Sequence, residues 1–235
     1  MEAEHENRVH AYFESRAATW DDRYRHDDAI YRRIARFEDA LHRRAIRGGA
    51  VLDLGCGSGR ITRSLASRGF SMTGADVSKH MLDQAKSEPD GDRVRWVQQD
   101  HDRPFPLPLG DREFDAVISS SVLEYVSNPK EALEEMARLL KPGGRVFFTV
   151  PDPRHRKRVR ERRQQALLRF APVRSLLRLT PARNYALYLE LSATRLPLDR
   201  WASLVRGSGL AVCPMGACEG PLAMIEAEKP ATSAG

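Results

Sequence analysis

The chain is poor in cysteine, with three in 235 residues, and none of its apolar runs approaches the roughly 18 residues that cross a bilayer. A spanning helix is therefore not expected. Cys56, Cys213 and Cys218 leave one thiol over in any pairing, which favours a reducing cytoplasm over a disulfide scaffold. The opening MEAEHENRVHAYF lacks the apolar centre of a secretory leader. No Cys or His pair stands at zinc spacing near Cys213 and Cys218, so no metal site is expected. Internal repeats are missing too, and besides one basic run the only low-complexity piece is the tail KPATSAG, expected to be disordered.

What remains is a globular composition, 41% hydrophobic and 30% charged, of a length that suits one α/β domain carrying one insertion. Its net charge of +6 is uneven. Residues 154–178, RHRKRVRERRQQALLRFAPVRSLLR, hold ten Lys or Arg and one Glu, a local charge of +9 that leaves the rest of the chain at −3. The basic character is a local device, placed where an insertion would not break a sheet.

From Ala50 onward strand and helix signals alternate. AVLDLG (50–55), SMTGADVS (71–78), RVRWVQQD (93–100), FDAVISSS (114–121) and GRVFFTV read as strands, the later ones largely apolar and β-branched as buried parallel strands are. ITRSLASRG, KHMLDQAKS after the capping Ser78, and EALEEMARLL between Pro129 and the stop KPGG read as helices. LPLDRWASLVRGSGL gives a last helix, and LAVCPMGACE and PLAMIEAEK close the chain as an antiparallel hairpin turning at Gly220. Residues 9–47 are helical in pattern and carry Tyr12, Phe13, Trp20, Tyr24 and Tyr31, whose spacing fits packing against the sheet before ligand contact.

The stretch VLDLGCGSGR (51–60) asks what must approach the backbone so closely. In an open α/β sheet the ligand crevice lies beyond the carboxyl ends of the strands, which is where the loop Gly55–Gly59 falls. Glycines there turn the chain and bare its backbone, and Asp76 follows about 20 residues on, the offset at which a carboxylate reaches the hydroxyls of an adenosine ribose. A dinucleotide fingerprint would place Gly or Ala where Arg60 stands, and Asp53 just ahead of the glycines would repel a pyrophosphate but attract a cationic ligand. Nicotinamide chemistry is disfavoured.

With these motifs the chain resembles the class I S-adenosylmethionine-dependent methyltransferases from about Ala50 to Lys229: VLDLGCGSG, Asp76 in GADVS, Asp100 in VQQD, FDAVISSSVLEYVSNP and LLKPGGRVFFTVP occur in the family's order. The resemblance implies a Rossmann-like seven-stranded sheet, mostly parallel, of order 3-2-1-4-5-7-6 with strand 7 antiparallel and helices on both faces. It implies S-adenosyl-L-methionine as cofactor, with Gly55, Cys56 and Gly57 along the methionine part, Asp76 and Val77 at the ribose, Asp100 and His101 at the adenine, and Asp53 and Ser119 near the sulfonium. YFESRAATWDDRY further resembles the small-molecule branch, in which Tyr12, Arg16, Trp20 and Tyr24 would form a lid over the cofactor. Many relatives carry histidine where this chain has Tyr125, and a tyrosine, with an ordinary pKa of about 10, is a poor base at neutral pH.

The expected activity is O-methylation of a small or lipid-like molecule, with His101, His155 and Tyr125 as candidates to remove the acceptor's proton. The expected layout is one domain: a helical lid (9–47), a cofactor-binding core (50–151), a basic helical insert (152–197), a last helix with two strands (198–229) and a tail (230–235). The insert reads first as a cap over the acceptor pocket, next as a contact for an anionic membrane surface, and last as a nucleic-acid patch. Its stripe Leu167, Phe170, Val173 and Leu177 lies beside Arg163, Arg169, Arg174 and Arg178. Nucleic acid would want more exposed aromatics than Phe170. The competing readings are an idle cofactor-binding or partner-binding subunit and an RNA methyltransferase that uses the insert.

Overall fold

A computed structural model describes the chain apart from residues 1, 18–19, 25–27, 169, 171, 173–175, 178–179, 181, 193–195, 215–219 and 232–235, and apart from the side chains of 2, 3, 23 and 24. Cys218, Arg169, Val173, Arg174, Arg178 and the end of the tail thus fall outside the described residues, as does the Tyr24 side chain.

Seven strands form one sheet: β1 (Ala50–Leu54), β2 (Ser71–Asp76), β3 (Arg95–Gln98), β4 (Phe114–Ser120), β5 (Leu140–Pro151), β6 (Ala211–Val212) and β7 (Leu222–Glu228). Their order is β3-β2-β1-β4-β5-β7-β6. The first five run parallel, and β7 is antiparallel to both β5 and β6. The parallel strands therefore deliver Leu54, Asp76, Ser120 and Pro151 to one edge, where the connecting loops build the site.

Period-two alternation along buried strands feeds two cores, one on each face. Leu52, Val117, Val146 and Phe148 point to a core shared with α5 (Pro129–Leu139) and α8 (Leu198–Gly207), where Trp201 is fully enclosed and meets Phe148 edge-on at 5.6 Å. Their neighbours Val51, Ala116, Ile118 and Phe147 point the other way, onto α2 (Ala29–Arg43) and α3 (Arg60–Ala66). On α2 the buried residues Ile30, Ile34, Phe37 and Leu41 recur every three or four positions, the helical spacing that gives one apolar face.

Local chemistry sets the ends of elements. Ser78 Oγ accepts from Met81 N at 3.1 Å and starts α4 (Lys79–Ser87), and Asn128 caps α5 ahead of Pro129. Helix α5 stops at Leu139, just ahead of KPGG, and β5 runs from Leu140 with a register shift between the pairs Phe114–Leu140 and Ala116–Arg145. One expectation needs correction. The sixth strand is only Ala211–Val212, because one edge of a two-residue strand pairs with β7 before Pro214 interrupts it.

Three further helices lie over the carboxyl edge: α1 (Glu2–Glu14), which begins ahead of the expected 9–47 boundary, α6 (Arg156–Leu168) and α7 (Arg183–Leu191). Of the stripe noted in the insert, Leu177 packs against Leu168, Ala186 and Leu189. Leu167 and Phe170 are 57% and 64% exposed, while α6 turns Arg158, Glu161 and Leu168 inward. Arg158 pairs with Glu161 at 2.7 Å and donates to the Tyr188 hydroxyl at 3.0 Å, so an ion pair stands on the buried face of α6.

Candidate active site

The glycine loop is shaped by its backbone. Gly55 (φ +72°) and Gly57 (φ +54°) take the left-handed conformation that glycine adopts without strain. The N–H groups of Gly55 and Cys56 both donate to the Ala75 carbonyl, at 2.8 and 3.0 Å, which folds the loop against the end of β2. A Cβ on Gly55 would lie 2.4 Å from Val122, whereas one on Gly57 would meet nothing nearer than the Trp20 indole nitrogen at 4.0 Å. Gly55 is thus packed, and Gly57 is bare toward the cavity.

Asp76 ends β2 beside this loop. Its carboxylate accepts from Gly57 N at 2.7 Å and from Ser78 N at 2.9 Å, yet burial raises its pKa. Asp53, 2% exposed on β1, accepts from the Thr62 hydroxyl at 2.7 Å. Burial, with a smaller push from the Asp76 charge and against the Thr62 bond, brings its pKa to about 7. Two buried acids with no cation beside them in their hydrogen-bond sets make a site that favours a positive ligand. Burial also raises the Cys56 thiol well above its ordinary value.

These groups open on a cavity of about 1700 Å³. Asp53, Gly55, Cys56, Gly57, Asp76, Val77 and Tyr125 all line it. Tyr12 and Phe13 of α1, Tyr125, and Tyr188 of α7 line it as well. Phe13 meets Tyr125 edge-on at 5.2 Å and Trp20 at 5.3 Å, a run of rings across the mouth. Helix α1 is fastened on several sides: Asp21 beyond it accepts from Ser58 Oγ of the glycine loop at 2.7 Å, Glu6 accepts from Ser127 N at 2.9 Å, and Arg8 pairs with Glu190 of α7 at 2.8 Å. Glu14 bonds Ser78 and His80 at the start of α4; burial pushes its pKa up, but those two bonds outweigh it and hold the pKa low.

Several expected residues are not brought to the cavity. Just beyond β3, Gln99 is buried and lines the cavity, its N–H on the Asp76 carbonyl at 2.9 Å, while Asp100 is exposed. His101 stacks on His10 of α1 at 4.5 Å and is not part of the cavity lining, and His155 sits in the turn that starts α6, its N–H on the Asp152 carbonyl. Ser119 is fully buried within the sheet, its hydroxyl given to the Leu54 carbonyl at 2.9 Å. Among the described residues no histidine lines the cavity. The backbone of Tyr24 closes a short 3-10 helix, Asp21–Tyr24. Sequence reasoning missed Gln99, Thr149, Ser120 and Ser121, all of which line the cavity. Only the Ser119–Ser121 run hinted at the last two.

The bare cradle at Gly57, the acid at Asp76 and an Asp53 that, among the described residues, is hydrogen-bonded to a hydroxyl and to no cation fit an adenosine-bearing, positively charged cofactor better than a dinucleotide. Residues 52–148 match the family model described as a methyltransferase domain. The chain is 34% identical over 105 residues to a ubiquinone biosynthesis O-methyltransferase from Coxiella burnetii, covering 45% of this chain and 44% of that protein. It is 39% identical over 113 residues to a demethylmenaquinone methyltransferase from Clavibacter sepedonicus, covering 46% and 45%. In each case the match spans less than half the length of the relative. Among solved structures, a SAM-dependent methyltransferase from Aquifex aeolicus superposes with a TM-score of 0.60 at 16% identity, covering 82% of this chain and 88% of that one, a likeness of fold. Residues 52–148 thus match a methyltransferase domain, and the strand order around them is the one the resemblance to class I S-adenosylmethionine-dependent methyltransferases implies.

Proposed function

We propose that the protein transfers a methyl group from S-adenosylmethionine to an oxygen of a small or lipid-like molecule. The observation that carries this reading is one cavity lined both by Gly57 and Asp76 and by the rings of Phe13, Tyr125 and Tyr188. The likeness to ubiquinone and menaquinone methyltransferases supports the acceptor class.

The cofactor, when bound, supplies a methyl group already activated by its sulfonium. Asp76 would hold the ribose, the Gly55–Gly57 backbone would pass along the methionine part, and Asp53 would add negative charge beneath it. Phe13, Trp20 and Tyr125 close the mouth and keep water from the reacting pair, while the wall fixes the acceptor in line. Such a displacement needs alignment more than it needs a strong base, in keeping with a cavity that no described histidine lines.

The insert contributes Lys157, Arg158 and Glu161 to the cavity wall. Its outer side, with Leu167, Phe170 and Leu176 each more than half exposed among arginines, supports peripheral contact with an anionic membrane surface. Incubation with methyl-labelled S-adenosylmethionine and a small-molecule extract tests the main reading: label should pass to an organic-soluble product as an alkali-stable methyl ether. Label found only in RNA or protein contradicts it.

A further inference from the structure

We infer that Arg16 is the seat for a carboxylate on the acceptor, so that the molecule methylated here is an organic acid and not a neutral compound. The inference rests on the small-molecule reading and names a group that the acceptor carries. Arg16 follows α1 and lines the cavity, half-buried, with its guanidinium carbon 5.3 Å over the Tyr12 ring. Its Nε is enclosed without a hydrogen-bond partner, and among the described residues no carboxylate pairs with it. Only Nε is enclosed; the terminal nitrogens keep accessible surface. Other arginines of the same cavity show the ordinary outcome: Arg158 is held by Glu161 and the Tyr188 hydroxyl, and Arg36 donates to the Leu222 carbonyl at 2.9 Å.

A guanidinium stays charged at any working pH, and taking it partly out of water without an anion is costly. The face of the Tyr12 ring offsets only part of that cost. An anion brought by a ligand completes the site, and the fork of terminal nitrogens matches the two oxygens of a carboxylate. Position assigns that anion to the acceptor. Tyr12, beneath Arg16, clusters with Tyr125 and Leu191, and Phe13 and Tyr188 pack on the same cluster, so its members come from α1, the segment after β4 and α7. The loops after β1 and β2, which the cofactor reading uses, contribute nothing to this cluster. What they bring to the cavity is the opposite sign, Asp53 and Asp76. Acids at the cofactor loops and an arginine over aromatic rings suit a cationic ligand and an anionic one in separate places. Tyr12, Phe13 and Tyr125 beside Arg16 suit an apolar body on the acid.

The test uses the whole chain saturated with S-adenosylhomocysteine and titrated, by ligand-observed magnetic resonance, with 4-methylbenzoate and with 4-methylbenzamide, which share a shape and differ in charge. The wild type should bind the acid about tenfold tighter, the effect of one charge-assisted pair. Arg16→Gln should bring the two affinities together and Arg16→Lys should keep part of the preference, with the melting temperature held in both. The cofactor carries a carboxylate too, so S-adenosylhomocysteine is compared with 5′-methylthioadenosine, which lacks the amino-acid part; Arg16→Gln should leave the ratio of those affinities unchanged. Equal or no binding of acid and amide by the wild type, an undiminished preference in Arg16→Gln, or a narrowed cofactor ratio in that variant would overturn the inference and leave the cofactor reading standing. Failure of the wild type to bind S-adenosylhomocysteine would instead overturn the reading on which the inference rests.

Discussion

The backbone N–H of Gly57 donates to Oδ2 of Asp76 over 2.7 Å, so the acid that ends β2 holds the loop that follows β1. One side chain thereby shapes the cradle and faces the ligand. Asp76→Ala should weaken S-adenosylhomocysteine binding by about 1.5–3 kcal/mol through lost charge-assisted hydrogen bonds. Asp76→Asn, which can still accept from Gly57, should lose less. Calorimetry on both variants reads the difference, and equal affinities for Asp76→Ala and the wild type would remove Asp76 from the site.

Gly55 and Gly57 share a left-handed backbone but differ in what surrounds them, and alanine at each should separate stability from binding. Gly55→Ala places a methyl 2.4 Å from Val122 and should lower the melting temperature markedly. Gly57→Ala meets no close atom, so its stability cost should be the backbone strain alone, about 1–2 kcal/mol, while cofactor affinity falls because the methyl stands in the cradle. A Gly57→Ala protein with native affinity would show that the loop is only a turn.

Asp53 makes the site sensitive to pH. Its pKa rises from an ordinary 3.8 to about 7, chiefly through burial. Between those values the folded state keeps a proton that the unfolded chain has released, so the contribution of this group to stability falls as pH rises from about 4 to about 7. Asp53→Asn should flatten that part of the profile in a melting series. A cationic cofactor favours the carboxylate, so its affinity should rise with pH up to about 7, and binding at pH 7 should release a proton. Titrations in two buffers of different ionisation enthalpy measure it; no net release would contradict the role given to Asp53.

The exposed side of the insert predicts binding to mixed phosphatidylcholine and phosphatidylglycerol vesicles that weakens with salt, at about 1 kcal/mol per basic residue near the surface. Leu167→Glu with Phe170→Glu should abolish it and leave S-adenosylhomocysteine affinity unchanged. Equal binding to neutral vesicles would exclude the anionic surface as the partner.

Much of this was legible in the sequence wherever local pattern and tertiary demand coincide. Continuous apolar runs marked β1 and β4, Ser78 and Pro129 marked helix starts, and the glycine loop with Asp76 marked the cavity end of β1 and β2. Misreadings arose where one residue of register decides. Gln99 and Asp100 differ by a single step of the chain, and that step sends the amide inward and the acid to solvent. Ser119 and Ser120 differ likewise, and Ser121 joins the cavity only through a positive φ that no composition announces. On α6 the buried side is taken by Arg158 and Glu161, paired with each other and with Tyr188, which leaves Leu167 exposed, and no apolar spacing in the sequence announces that pair.

The central claim, that the Gly57 and Asp76 part of the cavity is built for S-adenosylmethionine, is tested most directly by titrating S-adenosylhomocysteine and NADH separately into the wild-type chain. The account predicts saturable one-to-one binding of S-adenosylhomocysteine and none of NADH. Binding of NADH without S-adenosylhomocysteine, or of neither, would contradict it.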